Sequence, residues 1–219
     1  MRPEWGREIP GGWFNEESHL YRLQSGVIVP STTQVFSILG LNSLDDVPKD
    51  MLEWKQGYGI ACHAAVNLLA KNDLDWDSVD EQIVPAVTGI EEWLTKNKYE
   101  HEAGEEARVH CHNGMSYGMT SDLRGSIMFK EQRRKAIIDL KSGVRYSKTW
   151  LWQCGAYTLA HPGYMGIVLQ FDKEGEVEPY FASADIVTAQ REFQVLLAAA
   201  ILKLNSGFAQ IGGLNGNSH

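Results

Sequence analysis

The stretch "AIIDLKSG", residues 136–143, decides how this chain is read. Apolar residues run into Asp139, Leu140 and Lys141 and then stop at Ser-Gly, the pattern of a strand that ends abruptly in charge. Side chains alternate along a strand, so Asp139 and Lys141 share one face while Ile138 and Leu140 share the other. In isolation this is a half-solvated strand whose ion pair contributes little. The flanking sequence gives the pair a different meaning.

Upstream, "ARVHCHNGMSYGMTSDLRGSIMF" (residues 107–129) also reads as strands, joined to "KAIIDLKSG" through the polar segment "KEQRR" as a hairpin-length connection. Before these come three helical patterns. "STTQVFSILGL" (31–41) is a short helix with a Ser/Thr cap that stops at Gly40. "DMLEWKQGYGIACHAAVNLLAK" (50–71) is longer and carries His63. "SVDEQIVPAVTGIEEWLTKNK" (78–98) holds Pro85 and Gly89 and is expected to kink or split there. Downstream, "KTWLWQCGAYTLA" (148–160) returns to helical spacing. A hairpin over 164–182 follows, turning near Gly175, and then a closing helix over 183–205 with Ser183 or Asp185 as its N-cap. Helices, strands, a helix, a hairpin and a helix describe an α/β protein with a mixed central sheet flanked by helices.

At 219 residues, 43% hydrophobic and 22% charged, the chain suits one globular domain spanning 1–219, with loose ends at about 1–25 and 207–219. Its longest apolar run, "VLLAAAILKL" (195–204), is broken by Lys203 and falls short of a membrane span, so no membrane partner is expected. The start of the chain lacks the apolar core of a signal peptide, and Cys62, Cys111 and Cys154 form no C-x-x-C pair. Both point to a reducing, cytoplasmic setting. Net charge of −8 excludes a protein that coats nucleic acid with its whole surface, but not one with a local basic groove. "HCH" (110–112) places two His on one strand face, and Cys62-His63 would add ligands for zinc, although the spacing matches no standard zinc pattern.

Asp122 stands 17 residues before Asp139, where "SYGMTSD" bends the chain. If the two segments are adjacent strands, the turn at "KEQRR" brings Asp122 back towards Asp139, with Lys141 beside them. Carboxylates that close repel unless a cation lies between them. Hard oxygen ligands suit Mg²⁺ or Mn²⁺, which bind substrate phosphates and polarise them. The Lys141 ammonium would offset charge growing on the phosphate. One helix later, Gln153 and Tyr157 lie four apart, on one helix face, as long polar side chains able to reach a phosphate or base.

Taken in order, "YGMTSD", "IIDLKSG" and "QCGAY" resemble the signature of the PD-(D/E)xK nuclease superfamily, in its RecB-like and phage exonuclease branch. The resemblance spans roughly residues 28–160. It implies a restriction-endonuclease-like core, and a site made of His63, Glu106, Asp122, Asp139 with Lys141, and Gln153 with Tyr157. It implies that Mg²⁺ or Mn²⁺ is held by His63, Asp122, Asp139 and the Leu140 carbonyl. The implied activity is metal-dependent hydrolysis of DNA, by an exonuclease of phage recombination or DNA-repair type in a bacterial or phage-infected cell. The partner would be a DNA duplex or single-stranded end. The resemblance leaves room for a single-strand annealing or recombination protein as a second partner, and for a homo-oligomer. The chain departs from the branch at Met119, where Gly is usual and whose side chain would alter the groove, and at Ser142, where Thr is usual. The "KEQRRK" turn is longer and more basic than usual. The four cysteine ligands of the CRISPR adaptation nucleases with an iron–sulfur cluster are missing, which disfavours that relative.

Each assignment has a plainer reading. His63 on an Ala- and Leu-rich helix would otherwise be a buried structural His. Glu106 competes with Glu102 and Glu105 for one role, and Gln153 and Tyr157 would otherwise be a polar helix face with Trp150 and Trp152 on its buried side. Lys130, Arg133, Arg134, Lys135, Lys141, Arg145 and Lys148 concentrate seven of the 20 basic residues in a short span, as a phosphate-tracking groove would need. From a different class, the same residues fit a catalytically inactive nucleic-acid-binding or assembly protein that retains the nuclease fold.

Overall fold

In the computed structural model, which describes residues 5–41, 49–142, 147–181 and 185–211, the protein is mixed α/β with five helices and both parallel and antiparallel strand pairs. Four short strands come first: β1 (Arg7–Ile9), β2 (Gly12–Asn15), β3 (Leu20–Leu23) and β4 (Ile28–Val29). Helices α1 (Thr32–Ile38), α2 (Lys49–Ala70) and α3 (Val84–Lys96) follow, with a 3₁₀ turn at Trp76–Ser78 between the last two. Then come β5 (Glu100–Ala103), β6 (Glu106–His112), β7 (Met115–Ser121), β8 (Leu123–Phe129), β9 (Gln132–Ser142), α4 (Lys148–Ala160), β10 (Met165–Phe171), β11 (Val177–Phe181) and α5 (Ile186–Asn205).

The central sheet has the order β11-β10-β9-β8-β5, in which β9 and β10 run parallel, joined by α4, and the other pairs are antiparallel. The alternation read from "AIIDLKSG" sets its two faces. Ala136, Ile138 and Leu140 pack with Leu123 and Ile127 against Cys62, Ala65 and Val66 of α2 and Val87 and Ile90 of α3. Ile137 faces the other way, into a second core with Ala156 and Tyr157 of α4 and Phe193 and Leu197 of α5. Asp139 and Lys141 therefore lie on the α4 side, and Leu140 and Ser142 on the α2 side. Among the described residues no helix is long and apolar enough to cross a membrane.

Several expectations change. From Arg7 to Val29 the chain is built into strands: β1 to β4 form an antiparallel sheet whose Phe14, Tyr21 and Val29 bury against Ala107 and Val109 of β6. At the other end, residues 212–219 lie outside the described residues. Pro85 neither kinks nor splits a helix but opens one, because the first helical turn needs no proline N–H; Gly89 stays within α3, where a Cβ would collide with the Gly175 carbonyl. The capping box at Ser31 and Gln34 starts α1 as the Ser/Thr pattern anticipates. Asp185 sits at the N-cap of α5 but makes no side-chain cap bond, and Ser183 is outside the described residues.

The hairpin connection is the change that matters for function. Only Lys130 and Glu131 turn, both with positive φ (47° and 62°), and Gln132 already pairs with Phe129. Arg133, Arg134 and Lys135 are thus strand residues rather than turn residues.

Candidate active site

β7 and β8 belong to different sheets, and Asp122 is the single residue between them. The β8–β9 ladder begins at Leu123↔Ile138, so beyond Ile138 that edge of β9 has no strand beside it. Asp122 fills the gap: its Oδ2 accepts the Leu140 N–H at 2.6 Å. A residue's N–H and C=O point to the same edge of a strand, so the Leu140 carbonyl faces this gap too. From α2, His63 Nδ1 lies 3.1 Å from Asp122 Oδ1. From the α4 side, Asp139 is 2% exposed and pairs with Lys141, Nζ to Oδ2 at 2.9 Å, an approach whose alignment leaves Oδ2 without a well-directed hydrogen bond. His63, Asp122, Asp139 and Lys141 all fall within electrostatic reach of one another.

A cleft of about 470 Å³ opens on the α2 side of this point, lined by His63, Asn67, Glu105, Asp122, Leu140 and Ser142 among others. Asp139 and Lys141 do not line it; they reach the same strand end from behind. Asn67, one helical turn beyond His63, has a buried Oδ1 with no hydrogen-bond partner among the described residues. Sequence reasoning missed it, although the i, i+4 spacing from His63 puts it on the same helix face.

Burial dominates the electrostatics, and local partners decide where each proton sits. For Asp139, burial and then the Asp122 charge outweigh the Lys141 ammonium, and its carboxyl is pushed up to about 6. Burial would raise Asp122 too, but His63, Lys141 and the Leu140 N–H together hold it below the usual carboxylate range. Against burial, Asp122 raises His63, and Asp139 with Asp122 raises Lys141, so the lysine stays an ammonium. Two carboxylates so placed titrate as a unit, with their affinities for a proton driven apart.

Gln153 and Tyr157 are not a solvent-facing polar pair. Both are buried; Gln153 Nε2 donates to the Tyr157 hydroxyl, which donates to the Thr120 carbonyl at 2.8 Å. They tie α4 to the end of β7, two residues before Asp122, and so position the carboxylate without reaching a substrate. Tyr157→Phe is expected to cost about 1–3 kcal/mol of stability, because the Thr120 carbonyl and the Gln153 amide lose a buried partner; denaturant unfolding measures it. Trp150 and Trp152 are half-buried rather than the hidden side of this helix, and Trp152 donates to Glu192.

Other candidates are not brought together. Glu106 pairs with Arg124 at 3.1 Å, while its neighbour Glu105, exposed at the cleft, faces the site. One residue of phase separates them, and only the β6 register settles it. Met119 is fully buried against the second core, away from the cleft. The basic run lies at the far end of the β8–β9 hairpin, six residue pairs or about 20 Å from Asp122. There Arg133 pairs with Glu100 at 2.8 Å, Arg134 donates to Gln132, and Lys130 and Lys135 lie over Phe129 and Tyr164. Lys148 opens α4 at the site's end of the sheet but pairs with Glu192 at 3.0 Å, and Arg145 is outside the described residues. The two His of "HCH" stand 6.2 Å apart between ring centres on β6, whereas Cys62 is buried in the first core, so the zinc reading gains no further ligand.

Among the described residues no group of three or more His, Cys, Asp or Glu side chains is disposed to hold a metal ion by itself. At the cleft stand Asp122, His63 and the Leu140 edge of β9, with Asp139 behind them on the α4 face: oxygen-rich neighbours, but not a preformed cage. Burial and, after it, the Asp122 charge push Asp139 up, and its Oδ2 has no well-directed hydrogen bond; a nearby divalent cation would offset these costs. This donor set fits Mg²⁺ or Mn²⁺, which complete their coordination with water and substrate oxygens.

No family model matches the chain, and no curated protein matches it. Among solved structures, one described as "Crystal structure of SSO0001" aligns at 16% identity with a TM-score of 0.30, over 64% of this chain and 74% of that one. A likeness of that degree carries no argument.

Proposed function

We propose that the protein is a metal-dependent deoxyribonuclease, an exonuclease of phage recombination or DNA-repair type, in which the five-stranded sheet with α2 and α4 forms a restriction-endonuclease-like core. The observation that carries this reading is the start of β8. Because its ladder with β9 begins only at Leu123, Asp122 bonds the free Leu140 N–H, within electrostatic reach of Asp139 and Lys141. Asp122, Asp139, the Leu140 carbonyl and His63 would hold Mg²⁺ or Mn²⁺, which when bound polarises a phosphoryl oxygen and lowers the pKa of water.

The chain's own groups do the rest. The Leu140 N–H fixes one Asp122 oxygen, and His63 steadies the other. Lys141 remains protonated beside the buried Asp139 and can offset the negative charge that grows on the phosphate as the bond breaks. Tyr157 and Gln153 keep the β7–β8 junction in place. Glu105 and Asn67 line the cleft where a phosphate would enter.

The test is a labelled DNA duplex, and a single strand of the same sequence, incubated with Mg²⁺ or Mn²⁺ or with EDTA. Shortened products are expected with either metal and none with EDTA. Binding without cleavage under every divalent cation tried would favour the inactive nucleic-acid-binding protein instead.

A further inference from the structure

Beside the cleft, the N-terminal half of α2 carries aromatic surface that the catalytic residues do not use. Trp54 is 51% exposed and Met51 is 48% exposed, although farther along the same helix Cys62, Ala65 and Val66 are buried. Trp54 and Tyr58, four residues apart, stack with ring centres 5.3 Å apart and planes inclined by 20°. Tyr58 packs on the first core, so the stack is fixed at its inner end and open at its outer one. Together with Met51 and Phe171 these rings wall a hollow of about 390 Å³.

Lys55 and Ser142 line both this hollow and the cleft that holds Asp122. The hollow therefore adjoins the cleft across these two residues. The nearby acidic turn offers little to a base edge: Asp172 Oδ1 accepts the N–H groups of Glu174 and Glu176, and Glu174 pairs with Lys173 at 3.4 Å.

We infer that α2 holds a stacking site for an unpaired nucleobase, with Trp54 as the platform, Tyr58 beneath it and Lys55 at the passage by which the attached phosphate enters the cleft. The identity of the polymer rests on the nuclease reading above. An aromatic face accepts any base, so the site would confer little sequence preference. It would select strandedness, because a base inside a duplex is already stacked on its neighbours and must be freed to reach Trp54. A single-stranded or frayed end is thus the substrate form this surface fits.

The experiment is fluorescence-anisotropy binding in EDTA, where no hydrolysis occurs, of labelled oligothymidylate and of an abasic strand of equal length. Wild-type protein should prefer the strand with bases by roughly ten-fold or more, the scale of one lost base–aromatic stack. Trp54→Ala should weaken oligothymidylate binding by a similar factor and leave the abasic strand nearly unaffected; Trp54→Phe should retain most of the preference. Trp54 is half exposed, so these changes leave the core packing alone. Equal binding of both strands by wild-type protein, no binding of either, or an unchanged preference in Trp54→Ala would overturn the site. Base-dependent binding without cleavage under any metal would sink the nuclease reading and leave the stacking site standing; cleavage with no dependence on Trp54 would do the reverse.

Discussion

Asp122→Asn and Asp139→Asn are each expected to reduce DNA hydrolysis on the order of a thousand-fold, since each removes a charged oxygen donor whose share in transition-state stabilisation is several kcal/mol. Their effects on stability should differ in sign, although the substitutions are formally alike. Asp139 is held above its unfolded value, up to about 6, chiefly by burial, so the folded protein binds that proton more tightly than the unfolded chain. Its contribution is fully present below about pH 4 and is lost as pH rises through about 6. Asp122 is held below its ordinary value, so its contribution is present above about pH 4 and is lost as pH falls through the lower folded value. In EDTA near pH 8, Asp139→Asn should therefore be close to neutral or stabilising. Asp122→Asn should cost about 1–3 kcal/mol through its charge-assisted bonds to Leu140 and His63. Chemical denaturation across pH 4–8 reads the difference. Either variant cleaving at near wild-type rate with Mg²⁺ would remove the two-carboxylate site.

The part of this site legible in the sequence is the part fixed by strand alternation. Asp139 and Lys141 are two apart on one strand, so any fold that makes residues 136–142 a strand puts them on one face, and the structure does so. Asp122 was legible because a hairpin returns the chain on itself, whatever the exact length of its turn. That turn was misread because Lys130 and Glu131 adopt positive φ without the Gly or Asn that usually announces it, so "KEQRR" looked like a five-residue connection. Reading it so puts Arg133 and Arg134 in a loop when they stand on a strand, and hides their distance from Asp122.

Faces of helices were less legible than spacings. Gln153 and Tyr157 do share a face, but the sequence of α4 is apolar nearly all round, and nothing in it says that this face turns inward to hold Thr120. Glu105 and Glu106 differ by one position, and the choice between them depends on a strand register set by pairing with β7. The N-terminal sheet escaped notice because its strands are two to four residues long and interrupted by Gly and Pro, below the length at which alternation is visible. Its contribution is nevertheless direct: the Tyr21 hydroxyl bonds Thr120 Oγ1, two residues from Asp122, so the sheet buttresses the same junction as Tyr157.

Lys141→Met is expected to lower the single-turnover rate at saturating metal by about a hundred-fold or more, with a much smaller effect on metal affinity. The ammonium acts on charge that is larger in the transition state than in the bound substrate, and removing such a group costs rate rather than binding. The fold should also report the loss. Lys141 is the partner of the 2%-exposed Asp139, and taking one member from a buried pair leaves the other uncompensated, at about 3–5 kcal/mol when it stays ionised. Asp139 has a way out: it can take up a proton, and its pKa, already raised with the lysine present, rises further without it. The destabilisation should therefore be largest above pH 7 in EDTA and shrink as pH falls towards 5. Mg²⁺ or Mn²⁺ should diminish it at high pH, because a divalent cation replaces the missing positive charge beside the same carboxylate. Unfolding free energies at pH 5 and 8, with and without Mn²⁺, separate these effects from the kinetics. A variant that loses metal binding yet keeps its single-turnover rate, or a destabilisation that grows as pH falls, would mean that Lys141 serves neither the growing charge on the phosphate nor the buried Asp139.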